Sequence, residues 1–193
     1  AYHEAGHALV ARFLPNTDAV NKVTIIPRGR AAGVTWFLPE ERDFKYKDQL
    51  ESELSVAFGG RAAEEIVFSR ISTGAANDIK QATELAEHMV RTWGMSEELG
   101  PLSYAKGEEQ VFLGREISEQ RDYSEKVAEQ IDAEISRFIK EASARAREII
   151  KGKREKLEEV VKTLLVKETL EREEFESLVG PKPKEEEKTS KNS

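Results

Sequence analysis

The chain begins Ala1-Tyr2-His3-Glu4-Ala5-Gly6-His7-Ala8-Leu9-Val10-Ala11-Arg12-Phe13, and two of its three histidines stand in the first seven positions. Apolar Tyr2, Leu9, Val10 and Phe13, interleaved with small Ala5, Gly6, Ala8 and Ala11, predict a helix that Pro15 ends. On a helix, residues i and i+4 share a face and lie roughly 6 Å apart along the axis. His3 and His7 can therefore aim their imidazoles at one point, as two nitrogen ligands of one metal must. Glu4 lies about 100° further round, clear of the pair yet able to reach a water beside the metal. HExxH is the pattern in which two histidines bind zinc and the glutamate is the general base of a metalloprotease. The plainer reading is a histidine pair on a solvated helix face, since the motif fixes only three positions. The small residues around the histidines let another element pack close.

Composition narrows the chemistry. The chain of 193 residues suits one domain, and it contains no cysteine. Disulfides and Cys-type zinc sites are excluded, so any zinc must be held by histidine and carboxylate. The net charge of −7 argues against nucleic-acid binding. The basic stretch Lys151-Gly-Lys-Arg-Glu-Lys156 reads as a solvated turn between helices. Charged residues make up 35% of the chain, against roughly 25% in average domains, which fits long solvated helices. No apolar run approaches the roughly 20 residues that span a bilayer, and no signal peptide is visible. The first helix starts without a cap residue, so the sequence reads as a soluble piece of a longer polypeptide.

Working outward, "AVNKVTIIP" (19–27) is β-branched and reads as a strand. "GVTWFLP" (33–39) alternates Val34, Trp36 and Leu38 against Thr35 and Phe37, and its terminal Gly and Pro suit an edge strand. Leu50, Leu54, Ala57 and Phe58 mark a helix ended by Gly59-Gly60, and "RAAEEIVF" continues helically. A polar, Gly-containing loop (69–76) leads to a helix from about Asn77 to Trp93, its stripe being Ile79, Ala82, Ala86, Met89, Val90 and Trp93. The next stretch is irregular. A long helix runs from Tyr123 to about Ile150, striped by Val127, Ile131, Ile135, Phe138, Ala142, Ala146 and Ile149. Gly152 breaks it, a second arm carries Leu157, Val160, Val161, Leu164 and Leu165, and a last short helix carries Phe175, Leu178 and Val179. From Gly180 the chain lacks apolar residues beyond proline and is expected to be disordered.

A catalytic zinc needs a third protein ligand and an open position. His88, between Glu87 and Met89 in mid-helix, has no ligand pattern around it and reads as a surface or packing histidine. Carboxylates remain: Asp78 in "STGAANDIK" and the pair Glu64-Glu65 in "RAAEEIVF". Asp78 opens a helix, where the dipole and free N–H groups keep a carboxylate ionised. The pair could supply a ligand from a second helix, or one of them could orient a histidine. Local physics leans to Asp78.

The ordered set "AYHEAGHA", "VNKVTIIPRGRAAGVT", "AFGGRAAEEIVF", "STGAANDIKQAT" and "WGMSEELGPLSY" closely resembles the proteolytic domain of the FtsH family of membrane-anchored AAA+ zinc metalloproteases. The resemblance runs from residue 1 to about 179. It implies Zn2+ held by His3, His7 and Asp78, Glu4 as catalytic base, and a supporting place for Glu65. It also implies unfolded or membrane-derived polypeptide substrates, a homo-hexamer, and an ATPase module and membrane segments upstream. In that family the anchor lies in the cell inner membrane with this domain facing the cytoplasm. The resulting expectation is an α+β, mainly helical zincin-type fold over 1–179, with a small β-ribbon and a helical C-terminal part from about 118, followed by a disordered tail over 180–193. Gly33, Val34, Thr35 and Trp36 are the expected substrate-binding strand. A metal-free oligomerisation domain and a non-proteolytic zinc hydrolase are the competing readings. Intact Glu4 and a complete ligand set speak against the first.

Overall fold

A computed structural model describes residues 1–27, 33–39, 44–104 and 123–182. The polar connections read at 28–32 and 40–43, most of the irregular stretch after Gly94, and the tail beyond Lys182 lie outside the described residues. The described elements are α1 (Tyr2–Phe13), β1 (Ala19–Thr24), β2 (Val34–Leu38), α2 (Lys47–Ala57), α3 (Gly59–Phe68), α4 (Ala76–Arg91), α5 (Glu125–Gly152), α6 (Arg154–Lys167), β3 (Thr169–Glu171) and α7 (Arg172–Val179). A 3-10 turn, Thr73–Ala75, leads into α4. The expected mainly helical α+β class is what is found.

The helix that carries both histidines is also the centre of the core. Ala5, Ala8, Leu9, Val10 and Ala11 of α1 are fully buried, so this helix is apolar on almost every side. It packs on α2, α3, α5, α6 and β1. Its closest neighbour is α3, and the sequence shows why. A Cβ on Gly6 would fall 2.3 Å from the Gly59 carbonyl oxygen, and one on Gly59 would fall 2.6 Å from that of Gly6. Two glycines facing each other let the backbones touch. The expected close packing beside the histidines is met by this crossing. After Phe13 the chain turns extended at Leu14, before Pro15, and buried Thr17 donates its hydroxyl to the Ala11 carbonyl (2.6 Å).

Among the described residues the sheet has three antiparallel strands in the order β2-β1-β3. The ribbon expected from sequence has two strands; β3 is the addition. Its three residues occupy the step between α6 and α7, too short for alternation to show. Thr24 Oγ1 bridges to Thr169 Oγ1 (2.8 Å) and to the Glu168 carbonyl (3.1 Å), which clamps β3 to β1. A register shift between Val20 and Lys22 leaves Asn21 as an extra residue in β1, the signature of a bulge that adds twist. Among the described residues β2 is an edge strand, as its terminal Gly and Pro suggested.

α5 runs under α2, α3 and α4 and buries Ala128, Ile131, Phe138, Ala142, Ala146 and Ile150. Each large apolar side chain of this kind contributes about 1.5–3 kcal/mol on burial. One buried position breaks the apolar pattern: Glu134 accepts from Ser96 Oγ (2.6 Å) and from Arg137 Nε (2.8 Å). That contact pins the turn after α4 to α5. Gly152 closes α5 instead of interrupting it, and Lys153 separates it from α6. The stripe read along α4 is correct for Ala82, Ala86, Met89 and Val90, which are buried. Trp93 lies past the end of that helix, 48% exposed, stacked on His88.

Candidate metal centre

Three elements converge on one point. α1 supplies His3 and His7, and the first turn of α4 supplies Asp78. α3 closes the floor. His3 Nε2 lies 3.1 Å from His7 Nε2 and 3.2 Å from Asp78 Oδ2, and His7 Nε2 lies 3.7 Å from the same oxygen. Donors about 2.0–2.1 Å from a tetrahedral zinc ion stand roughly 3.3 Å apart. The three separations bracket that value.

The outer nitrogens fix which atoms face inward. His7 Nδ1 donates to the Val56 carbonyl (2.8 Å), which can only accept, so its Nε2 presents a lone pair. His3 Nδ1 donates to Glu64 Oε1 (3.1 Å), and in the neutral ring its Nε2 is likewise left as an acceptor. Two imidazole lone pairs and a carboxylate then point at one another. Such a set is stable only around a shared cation, either a proton or a metal. A proton on His3 Nε2 would serve in the metal's place. The hydrogen bond to Asp78 raises His3 above its usual 6.5 and outweighs the opposing effect of burial. Burial pushes the Asp78 carboxyl up, but the hydrogen bond from His3 and the pull of both imidazoles outweigh it and hold the group well below the usual range. All three donors suit zinc in type, number and spacing. Among the described residues, His3, His7 and Asp78 are the one group of three such side chains so placed.

Glycine makes the close approach possible. A Cβ at Gly60 would lie 2.6 Å from His3 Nδ1, His3 Cε1 and His7 Nε2. Any side chain there would displace the imidazoles. From sequence, Gly59-Gly60 reads as a helix stop; in the structure the pair opens α3 and gives the α1 histidines their room. Two glycines in succession look the same in either role, so only the three-dimensional packing separates them.

The structure places Glu64, and not the expected Glu65, beside the histidines. Glu64 bridges His3 Nδ1 and Ser72 Oγ, the latter at 2.7 Å, and so ties the histidine to the loop that leads to Asp78. Glu65 faces α5, 3.8 Å from Arg147. Adjacent helical residues point about 100° apart, so only one of the pair can reach α1. Glu64→Gln should lower zinc affinity on the order of the 10–100-fold typical of such outer partners. Glu65→Gln removes only a loose, half-exposed ion pair and should leave affinity nearly unchanged. Chelator competition measures both; the reverse ranking would return the supporting role to Glu65.

Glu4, His3, His7, Asp78, Gly33, Val34 and Thr35 line one cleft of about 1000 Å³. Thr35 Oγ1 lies 2.9 Å from Glu4 Oε2 and 3.0 Å from the Glu4 carbonyl oxygen. Trp36 turns to the opposite face of β2 and is 42% exposed. Of the expected strand residues, Gly33, Val34 and Thr35 therefore border the cleft and Trp36 does not. Thr35 and Phe37 make the inner face of β2, while Trp36 and Leu38 make the outer one. His88 is exposed, remote from this cluster in contact terms, and bonded to Thr92 Oγ1 (3.3 Å).

Comparison with known proteins agrees with this geometry. The model of peptidase family M41 matches residues 1–178. The chain is 53% identical over 188 residues to ATP-dependent zinc metalloprotease FtsH 1 of Thermomicrobium roseum, covering 96% of this chain and 29% of that protein. It is 55% identical over 183 residues to FtsH 4 of Sorangium cellulosum (93% of this chain, 28% of the relative). With the FtsH of Thermotoga maritima the figure is 49% over 182 residues (93% and 30%). The chain thus spans under a third of the length of these curated relatives. Among the described residues no helix is long and apolar enough to cross a membrane. The motif-based resemblance to the FtsH proteolytic domain is borne out: this chain belongs to peptidase family M41, the zinc metalloprotease family of FtsH.

Proposed function

We propose that residues 1–179 form a zinc endopeptidase domain in which His3, His7 and Asp78 hold the metal and Glu4 is the general base. The observation that carries this reading is the convergence of three inward-facing donors in a cleft that Glu4 and an edge strand also line. Bound there, zinc would polarise the scissile carbonyl and lower the pKa of its water. Glu4 would take the proton of the attacking water and hand it to the departing amide nitrogen. Val56 and Glu64 hold the two imidazoles in the tautomer that faces inward. β2, open on one side among the described residues, would bind an extended peptide by main-chain hydrogen bonds, which tolerate many sequences.

The relatives are named ATP-dependent, and they are more than three times as long as this chain. We infer that the longer protein adds an ATPase and an inner-membrane anchor, with this domain on the cytoplasmic side. It would work as a homo-hexamer on unfolded, misfolded or membrane-derived polypeptides. The chain studied alone should cleave an unfolded protein slowly and spare the same protein when folded, because adding to β2 requires the substrate's own backbone bonds to be free. ATP should make no difference to the isolated chain. Electrophoresis of one reduced, carboxymethylated protein beside its native form tests this; equal cleavage of both, or stimulation by ATP, would contradict it. A zinc hydrolase of another kind would instead cleave esters or small amides and leave the unfolded protein intact.

A further inference from the structure

We propose that β2 has a second task beyond receiving substrate: Thr35 is the positioning residue for Glu4, so the strand that takes the peptide also sets the base. The inference rests on the reading of Glu4 as base given above. Thr35 of β2 and Gly33, just before the strand, lie two residues apart on one side of the extended chain, and both stand against the Glu4 side chain. The single Thr35 hydroxyl proton is shared between Glu4 Oε2 at 2.9 Å and the Glu4 carbonyl oxygen at 3.0 Å. One group thereby grips both the side chain and the backbone of the same residue. Gly33 supplies the other wall: a Cβ there would lie 2.8 Å from Glu4 Cγ and 3.0 Å from Oε1, as well as 2.7 Å from the Thr24 carbonyl oxygen.

A glutamate on a helix has three side-chain torsions, and a base works only when its oxygen is held near the proton it removes. Here one carboxylate oxygen is anchored by Thr35 and the other is left to act. Gly33, having no side chain, leaves the room that the Glu4 side chain occupies in this position. Among the described residues, the anchor belongs to an edge strand that pairs with β1 alone. A peptide added along the free side would stiffen that strand, and with it the hydroxyl that holds Glu4. The base is then best ordered when substrate is present.

The test uses the full chain and the variants Thr35→Val, Thr35→Ser, Glu4→Gln and Glu4→Gln/Thr35→Val. Valine keeps the shape and β-branching but cannot donate. Thr35→Val should retain one zinc per chain and its fold, with a melting temperature lower by no more than a few degrees, while kcat on an unfolded protein falls about 10-fold, the scale of a lost hydrogen bond to a charged group. KM should stay within about twofold, because the substrate's backbone contacts remain. Thr35→Ser should restore most of the lost kcat. In the zinc-loaded Glu4→Gln background, adding Thr35→Val should change neither residual activity nor the affinity for a labelled unfolded peptide, since the residue acts only through Glu4. Unchanged kcat in Thr35→Val, a rise in KM alone, loss of zinc, or failure of serine to restore the rate would each overturn the proposal. If the wild-type chain holds zinc and cleaves while Thr35→Val matches it, only this inference falls. If the wild type neither holds zinc nor cleaves, the proposed function falls with it.

Discussion

Glu4→Gln is expected to keep its zinc and to lose proteolysis by at least about 100-fold, the usual scale for removing a general base. Glutamine fills the same volume and can still accept from Thr35, so the cleft keeps its shape. What it cannot do is take a proton at neutral pH. The donors that converge in the site are His3 Nε2, His7 Nε2 and Asp78 Oδ2, and none belongs to residue 4. Metal analysis and cleavage of an unfolded protein, run on the same preparation, separate the two functions. Zinc lost in parallel with activity would make Glu4 a ligand, and unchanged activity would place the base elsewhere.

Asp78→Asn should have the largest effect on the metal itself. An amide is a poor zinc ligand, and the change leaves two imidazoles as the only strong donors. The loss in affinity should exceed the roughly 10–100-fold that an outer partner such as Glu64 costs. Activity should vanish at limiting zinc and return only partly in excess. A control separates this from misfolding. In the metal-free wild type, the raised His3 is charged and bonded to ionised Asp78. That contribution is fully present below the unfolded histidine value of about 6.5 and is lost as pH rises through the folded one. Metal-free wild type and Asp78→Asn should therefore melt together at alkaline pH and diverge in favour of the wild type between about pH 5 and 6. Variant protein that melts far lower at every pH would point to a folding defect instead.

Much of this site is legible in one dimension because helices turn spacing into geometry. His3 and His7 share a face by their separation alone, and Asp78 gains its place from a helix start. The resemblance adds the link between the two segments, which no local pattern contains. What stays hidden depends on contacts between distant segments. Glu64 and Glu65 are chemically equal, and the choice between them follows from how α3 is rotated against α1. Gly60 is a floor for two imidazoles only because Gly6 and Gly59 have already brought the helices together. β3 is too short to show a period, and it exists because β1 offers it an edge. The alternation of β2 is visible, but not its direction: Trp36 and Leu38, the more apolar pair, face outward, while Thr35 turns in to hold Glu4.

One zinc ion is expected among His3, His7 and Asp78. Anomalous diffraction at the zinc absorption edge, from crystals of the zinc-loaded chain, tests it most directly. A single strong peak is expected within about 2.0–2.2 Å of His3 Nε2, His7 Nε2 and an Asp78 carboxylate oxygen. A peak that lacks Asp78, or one ligated by Glu64, Glu65 or His88 in its place, would contradict it.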